Sequence, residues 1–314
     1  SNAPTQSENV SVTNGMAESL RNKSKANYKI NALKLDFSLP FKHLYMETGA
    51  SFSAIRNKSS LMLENFANGQ WRYNADESNE FLYKERTLAA YLSAKKLLTE
   101  KLQLQAGLRY EHTWTESNQL TQRQINRSHY GRFYPTLHLN WQLKDNQNLA
   151  LAANWGIERP NFNDLNPFRI YTSTTDYMTG NPYLTAAYTR NVEINYSNGK
   201  GLYAVLYNNH GKGEIGWRTQ FLENGSQITG PYDGLRHEKT GIYANYNRNV
   251  LTWLNLNIGG EIYYYDSHSD YQTNVLQIHG WGKRAEGSLS FMLNHQKTLI
   301  GEVSYHHWFQ EYFA

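Results

Sequence analysis

The sequence has no cysteine, which excludes a disulfide framework and thiolate metal sites. It has only seven prolines, and three of them fall within residues 159–184. Charge of one sign is scarce. The net charge is +4, too little to argue for nucleic acid, whose binders concentrate basic side chains on one surface. Long hydrophobic runs are also missing: the mean hydropathy is -0.71, and no stretch of about 18 apolar residues encodes a membrane helix. That leaves a membrane β-barrel open, because there only every second residue has to be apolar. Ser1-Asn2-Ala3 reads as an expression scar, and no signal peptide follows it. The chain is therefore expected to begin inside a longer protein, with 4–27 as a flexible lead-in and 28–314 as one structural unit.

What the chain does have is aromatic residues, 24 of them tyrosine, and a persistent period of two. In "KLQLQAGLRYEHTW", Leu102, Leu104, Ala106, Leu108, Tyr110, His112 and Trp114 share one parity. Gln103, Gln105, Gly107, Arg109, Glu111 and Thr113 share the other. Strand side chains alternate between faces, so one face is apolar and the other polar. The pattern recurs in "NALKLDFSL", "GRFYPTLHLNW", "NLNIGGEIYY" and "GSLSFML". Roughly a dozen such segments occur, most of them long enough to cross a bilayer as tilted strands of ~9–11 residues.

Short turns are expected near Pro40-Phe41-Lys42, Thr99-Glu100, Lys144-Asp145-Asn146, Asn198-Gly199-Lys200, Arg248-Asn249 and His295-Gln296. Between them lie longer loops near 57–80, 116–129, 158–187, 211–237 and 267–280. Alternation of tight turns with long loops is the wiring of an outer membrane barrel. Trp114, Trp141, Tyr196, Tyr203, Trp253, Tyr263 and Tyr264 fall near strand ends, where aromatic girdles would sit. The fold class is thus all-β: an antiparallel up-and-down transmembrane β-barrel, partial, of roughly a dozen strands. Its polar parity, including Lys34, Asp36, Glu47, Arg109, Glu111, Glu193, Glu261 and Glu302, is expected to face the lumen.

"GLRYEHT" (107–113), "FYPTLHLNW" (133–141), "ERPNFNDLNPF" (158–168) and "GNPYL" followed by "NVEINY" occur in an order that resembles the barrel of the TonB-dependent-receptor-like outer membrane proteins common in Bacteroidetes. The resemblance covers approximately residues 28–312. It implies a receptor in the outer membrane of a Gram-negative bacterium, with a plug domain, an extracellular ligand and energy delivered through TonB. Where such proteins usually carry a proline and an acidic residue after Gly-Asn-Pro-x-Leu, this chain has Ala186 and Ala187. No plug-like or TonB-box-like segment precedes the first strands, and the chain stops at "HWFQEYFA". Transporters of this kind have about 22 strands, so the chain is expected to be a fragment of one barrel. It could close into a narrower barrel, pair between molecules or stay an open curved sheet.

The longest loop, "RPNFNDLNPFRIYTSTTDYMTGNPYL", is rich in turn residues. Gly180 is expected to supply a positive φ there. Arg159, Asp164, Arg169, Tyr171 and Tyr183 offer charge, hydrogen bonds and stacking surface to a ligand. The competing reading, a folded rim element first and a ligand contact second, is favoured because such loops recur with diverse ligands. Asp266, His268 and Asp270 form a weak candidate for a divalent cation, since three ligands on one strand rarely converge on one ion. His306 and His307 alternate to opposite faces and cannot share a metal. Ser304 and Glu302 share His306's parity without a visible oxyanion hole, so no catalytic residue is assigned and no cofactor is expected. "HGKGE" at His210–Glu214 lacks the ending of a phosphate loop and reads as flexible strand.

The expected function is a receptor or transporter barrel, not an enzyme, with outer membrane lipid, a plug and the TonB system as partners. The alternatives are a non-transporting binding or adhesion barrel, an outer membrane hydrolase, and a soluble glycan-binding β protein. If the apolar parity faces lipid, Leu104→Arg costs about 2–4 kcal/mol and Gln105→Arg far less. Denaturant titration in lipid vesicles reads both, and equal costs would count against the assignment.

Overall fold

The computed structural model describes residues 5–13, 16–121, 123–173, 175–269, 276–292, 299–309 and 312–313. Among the described residues, thirteen strands form the main path of one sheet, each antiparallel to the next along the path. They are β1 (Thr5–Thr13), β2 (Met16–Phe41), β3 (Leu44–Ala67), β4 (Gln70–Thr99), β5 (Leu102–Gln119), β6 (Gln124–Lys144) and β7 (Gln147–Glu158), then β10 (Ala187–Ser197), β11 (Leu202–Phe221), β12 (Gln227–Leu251), β13 (Leu254–Ser269), β14 (Leu276–Met292) and β15 (Ile300–Trp308). Between β7 and β10 lie one helical turn, α1 (Phe162–Leu165), and two short strands, β8 (Ile170–Tyr171) and β9 (Tyr177–Met178). A short β16 (Tyr312–Phe313) pairs with β14.

Residues directly opposite one another in an antiparallel ladder share a face, so the register carries each face across the sheet. Leu104, Leu139, Leu151, Ile194, Leu206, Ile242 and Ile262 form one row over seven adjacent strands. Leu206 and Ile242 are half exposed, although fully apolar. An apolar row of that width left bare is a surface for lipid, not for water. On the opposite face Asp36, Gly49, Tyr91, Arg109 and Tyr134 form a row. Gly49 opens a gap there, and the Tyr91 hydroxyl donates across it to Asp36 at 2.7 Å.

Tight turns close one end of the sheet at Lys42-His43, Glu100-Lys101, Asp145-Asn146, Asn198–Gly201 and Thr252-Trp253. The last replaces the turn expected at Arg248-Asn249, which lie within β12 and pair with Leu256 and Asn255. The one expected near His295-Gln296 lies outside the described residues. The other end differs from expectation. Residues 57–80, 116–129 and 211–237 are mostly strand: β4 runs for 30 residues, about three times what a bilayer crossing needs. The β3–β4 hairpin turns at Asn68-Gly69, both with positive φ (52° and 77°), as a two-residue hairpin turn requires. Serine, threonine and asparagine suggested loop, but the cross-strand ladder satisfies the backbone and overrides that local preference. Of the expected loop 267–280, residues 270–275 lie outside the described set.

Residues 4–27, expected as a flexible lead-in, also fall largely in strand. Leu20–Phe41 of β2 pairs residue for residue with β3, and β1 pairs with the start of β2. Alternating Lys, Ser and Asn there conceal a strand that continues above the apolar band. The aromatic assignment needs a correction as well. Trp114, Trp141, Tyr196 and Tyr264 lie on the bare face, and Trp253 stacks on Phe291 at 6.4 Å. Tyr203 and Tyr263 have the opposite parity: Tyr203 donates to Asn195, and the Lys239 ammonium lies 3.7 Å from the Tyr263 ring centre.

Among the described residues no pairing joins β1 or β2 to β15, so the sheet path is open. It is nonetheless curled. Seven inter-strand steps separate β2 from β11, roughly 34 Å in a flat sheet. Yet Tyr28 of β2 and Trp217 of β11 line the same cavity of about 620 Å³. The apolar core is not between two layers but between this sheet and the β7–β10 loop. Leu61, Phe81 and Tyr83 from the sheet meet Leu165, Phe168 and Leu184 from the loop.

Candidate functional site

The loop begins where Pro160 ends β7, since proline donates no ladder bond and restricts the residue before it. Asn161 caps α1: its side-chain oxygen accepts from the Asp164 N–H at 3.1 Å. Its amide also donates to the Asp164 carboxylate. The returning chain passes directly beneath this turn. Gly180 N–H donates to Asn166 O at 2.9 Å and Asn181 N–H to Asp164 O at 2.6 Å. A Cβ at Gly180 would collide with Asn166 O. Close approach, not the positive φ expected from sequence, is what requires glycine here.

Four sets of contacts fasten the loop to one face of the sheet. At its base, Arg159 donates to Glu111 at 2.7 Å and to Thr113 at 3.0 Å, with Glu85 at 3.9 Å. Glu111 is buried and also pairs with Arg109 at 3.1 Å. Burial works against the Arg159 charge. The bond to Glu111 and the fields of Tyr130, Glu111 and Glu85 outweigh it and hold its proton more tightly than usual. Further on, Tyr171 donates to Glu77 at 2.5 Å and Arg169 lies 3.5 Å from the same oxygen. Burial and that hydrogen bond push the Tyr171 phenol up to about 12.

The Pro182 carbonyl accepts from Asn126 at 3.0 Å and Ser117 at 3.4 Å, and the Tyr183 hydroxyl accepts from Gln124 at 2.5 Å. On the far side β9 adds to β12 as a parallel pair, Tyr177 beside Ile228 and Met178 beside Thr229. Asp233 accepts from Thr185 at 2.6 Å nearby. Phe162 seals the middle, edge-on to Tyr28 at 5.5 Å and tilted against Phe81 at 5.7 Å.

Arg159 and Asp164 are thus spent on internal bonds, Arg169 and Tyr171 on Glu77. Tyr183 keeps half its surface exposed. The 620 Å³ cavity supplies what the loop residues do not. Tyr28, Phe162, Phe168 and Trp217 wall it, and both amide atoms of buried Asn22, with Asn166 Oδ1, have no hydrogen-bond partner among the described residues. Buried polar atoms without partners are uncommon, and these belong to residues that line the aromatic-walled cavity. No motif announced this cavity, because its walls come from strands far apart in the chain.

The same face carries Glu261, which accepts from Tyr207 and pairs with Lys239 at 3.0 Å and Arg284 at 3.6 Å. Glu193 lies opposite Tyr207, and Glu302 opposite Ser290, both on this face. Asp266 and His268 stand on the bare face beside Glu238 and Arg236 of β12; Asp270 lies outside the described residues. His306 sits 3.8 Å from Glu286, while His307 stacks on Tyr305 across the other face. "HGKGE" is a bulge: Gly213 has a φ of 76°, and Glu214 is held by His237 at 2.5 Å. That contact across the β11–β12 ladder, with the two register shifts beside it, defines the segment.

Residues 1–311 match the model of the outer membrane protein beta-barrel family. No curated protein matches the sequence. Among solved structures, the copper transporter OprC aligns at 14% identity with a TM-score of 0.56, over 88% of this chain and 44% of its own. The ferric yersiniabactin uptake receptor FyuA from Yersinia pestis aligns at 13% identity and 0.48, over 92% and 47%. The ferric citrate transporter FecA aligns at 13% and 0.48, over 93% and 49%. The chain spans less than half the length of each.

Arg159→Met is expected to cost about 3 kcal/mol, the lower end for a broken buried pair, because Arg109 remains beside Glu111. Arg159→Met with Glu111→Leu should recover most of that loss in guanidinium unfolding followed by tryptophan fluorescence. Gly180→Ala should lift the loop while leaving the sheet folded. The readout is faster proteolysis within residues 172–178, with unchanged gel migration of the unboiled sheet.

Proposed function

The chain belongs to the outer membrane protein beta-barrel family and resides in the outer membrane, and from that premise we propose that it is the barrel portion of a receptor for uptake of an extracellular ligand. The observation that carries this reading is the loop fastened across the inside of the curled sheet, bordering a cavity with aromatic walls and unpartnered amides. The face bearing Glu111, Glu193, Glu261 and Glu302 is the lumen in this reading, and the bare apolar face meets lipid. Arg159 and Asp164 shape the loop, while Tyr183, the exposed edge of Arg169 and the Trp217 wall meet the ligand. Tyr171 supports Arg169 through Glu77.

A plug and coupling to TonB would be supplied by the remainder of the longer protein, as would the strands that complete the barrel. The aligned transporters and receptors carry copper, ferric yersiniabactin and ferric citrate. A metal complex with apolar and hydrogen-bonding surface is accordingly the first ligand class to test. Trp217 is the reporter. Titration with cupric ion, ferric citrate and a ferric catecholate should give saturable quenching with one of them, lost in Trp217→Phe. Energy-dependent accumulation of that complex by cells carrying the full-length protein should vanish on disruption of its gene. Saturable binding without accumulation would favour an adhesion or binding barrel, and no saturable quenching would remove the cavity as a ligand site.

A further inference from the structure

On the bare face, β2 changes character abruptly along its length. Its residues on that face read Lys25, Asn27, Lys29, Asn31, then Leu33, Leu35, Phe37, Leu39 and Phe41. The neighbouring strands change at the same height. Leu33 lies beside Phe52 and Phe52 beside Leu88, closing the apolar band. Two rows higher, Lys29 lies beside Arg56 and Arg56 beside Lys84, three cations side by side on three adjacent strands. Arg86 sits in the row between.

Like charges directly opposite in a ladder destabilise it, so this row costs stability unless an anion covers it. Carboxylates cover only part of it. Lys84 is held by Glu116 at 2.8 Å and Lys58 by Glu80 at 3.2 Å. Lys25, Lys29, Arg56 and Arg86 are exposed and make no ion pair among the described residues. Lys25, Lys29, Arg56 and Lys58 border one shallow groove of about 450 Å³. The charge is also local. At the matching height beyond Leu206, Ile242 and Ile262, the sheet carries His210, Glu238 and Asp266.

The height suits one partner. Lys29 is four residues beyond Leu33, ~13 Å along the strand and ~10 Å above the band at a strand tilt near 40°. Long cationic side chains reach back toward the interface, which places their heads among lipid phosphates. This end of the sheet carries the long hairpins, which marks it as extracellular.

We propose that the outward face of β2–β4, immediately above the apolar band, binds the phosphates of an anionic lipid headgroup in the outer leaflet. The site is independent of the transport reading, since it lies on the opposite face from the cavity. A phosphate between Lys29, Arg56 and Arg86 neutralises the row that the ladder alone leaves repulsive.

The test uses the whole chain in phosphatidylcholine nanodiscs with or without a minority of bisphosphorylated lipid A, followed by native mass spectrometry of retained lipid. Wild type is expected to keep lipid A through delipidation. Lys29→Gln with Arg56→Gln and Arg86→Gln should retain about a hundredfold less, at about fivefold for each near-surface charge removed. Lys29→Arg alone, and Lys200→Gln at the opposite end, should retain it as wild type does. If the triple variant fails to give the heat-shifting band of a folded barrel, Arg56→Gln alone serves in its place. Equal retention by wild type and the charge-removed variant overturns the proposal. So does an equal loss in Lys200→Gln, or displacement of lipid A by excess inorganic phosphate, which would make this a site for free anions.

Discussion

A chain that crosses hydrocarbon has to satisfy every backbone N–H and C=O internally, and a sheet does so only by pairing each strand with its neighbours. Everything else in this molecule follows from that ladder. Strict neighbour pairing gives the up-and-down order, and the ladder's two-residue period puts Leu104, Leu139 and Leu151 on one face and Glu111 and Arg109 on the other. The apolar side chains do not build an interior, as they would in a water-soluble domain. They are turned outward, and the polar ones are gathered inside around ion pairs such as those of Glu261.

An inward polar face could not hold a loop by hydrophobic burial alone. Above the band, however, the inward parity of β3 and β4 turns apolar at Leu61, Phe81 and Tyr83, and the loop lays Phe162, Leu165 and Phe168 onto that patch. Lower down, where the face is charged, the fastening becomes an ion pair between Arg159 and Glu111. The chemistry of each anchor thus matches what the sheet presents at that height. The cavity is what remains where α1, β2 and β11 do not meet.

Much of this was legible in the sequence. Alternation gave the faces, turn residues gave one end of the sheet, and the density of proline and asparagine marked the one irregular connection. What escaped were features that depend on register. Polar strand residues such as those of 57–67 look like loop until they are paired, and 20–27 reads as lead-in for the same reason. Tyr203 and Tyr263 look like girdle residues until their parity is fixed by Asn195 and Lys239. Gly180 stands out among the turn residues, but its need lies in a carbonyl fourteen residues earlier in the chain. The row formed by Lys29, Arg56 and Lys84 is invisible in any single segment, because the three approach one another only through the β2–β3–β4 register.

The two flanks of the loop are held unequally. Toward β4–β6 it has a buried ion pair, a hydrophobic seal and hydrogen bonds to Pro182 and Tyr183. Toward β12 it has two residues of parallel ladder with a few polar contacts, among them the exposed pair of Thr185 and Asp233. A strap fixed in this way swings about its strong side. Any outward pull separates β9 from β12 first, and the segment rotates as a unit about the Arg159 corner. The sheet beneath it stays intact, so the cavity it borders opens on the β11–β12 side.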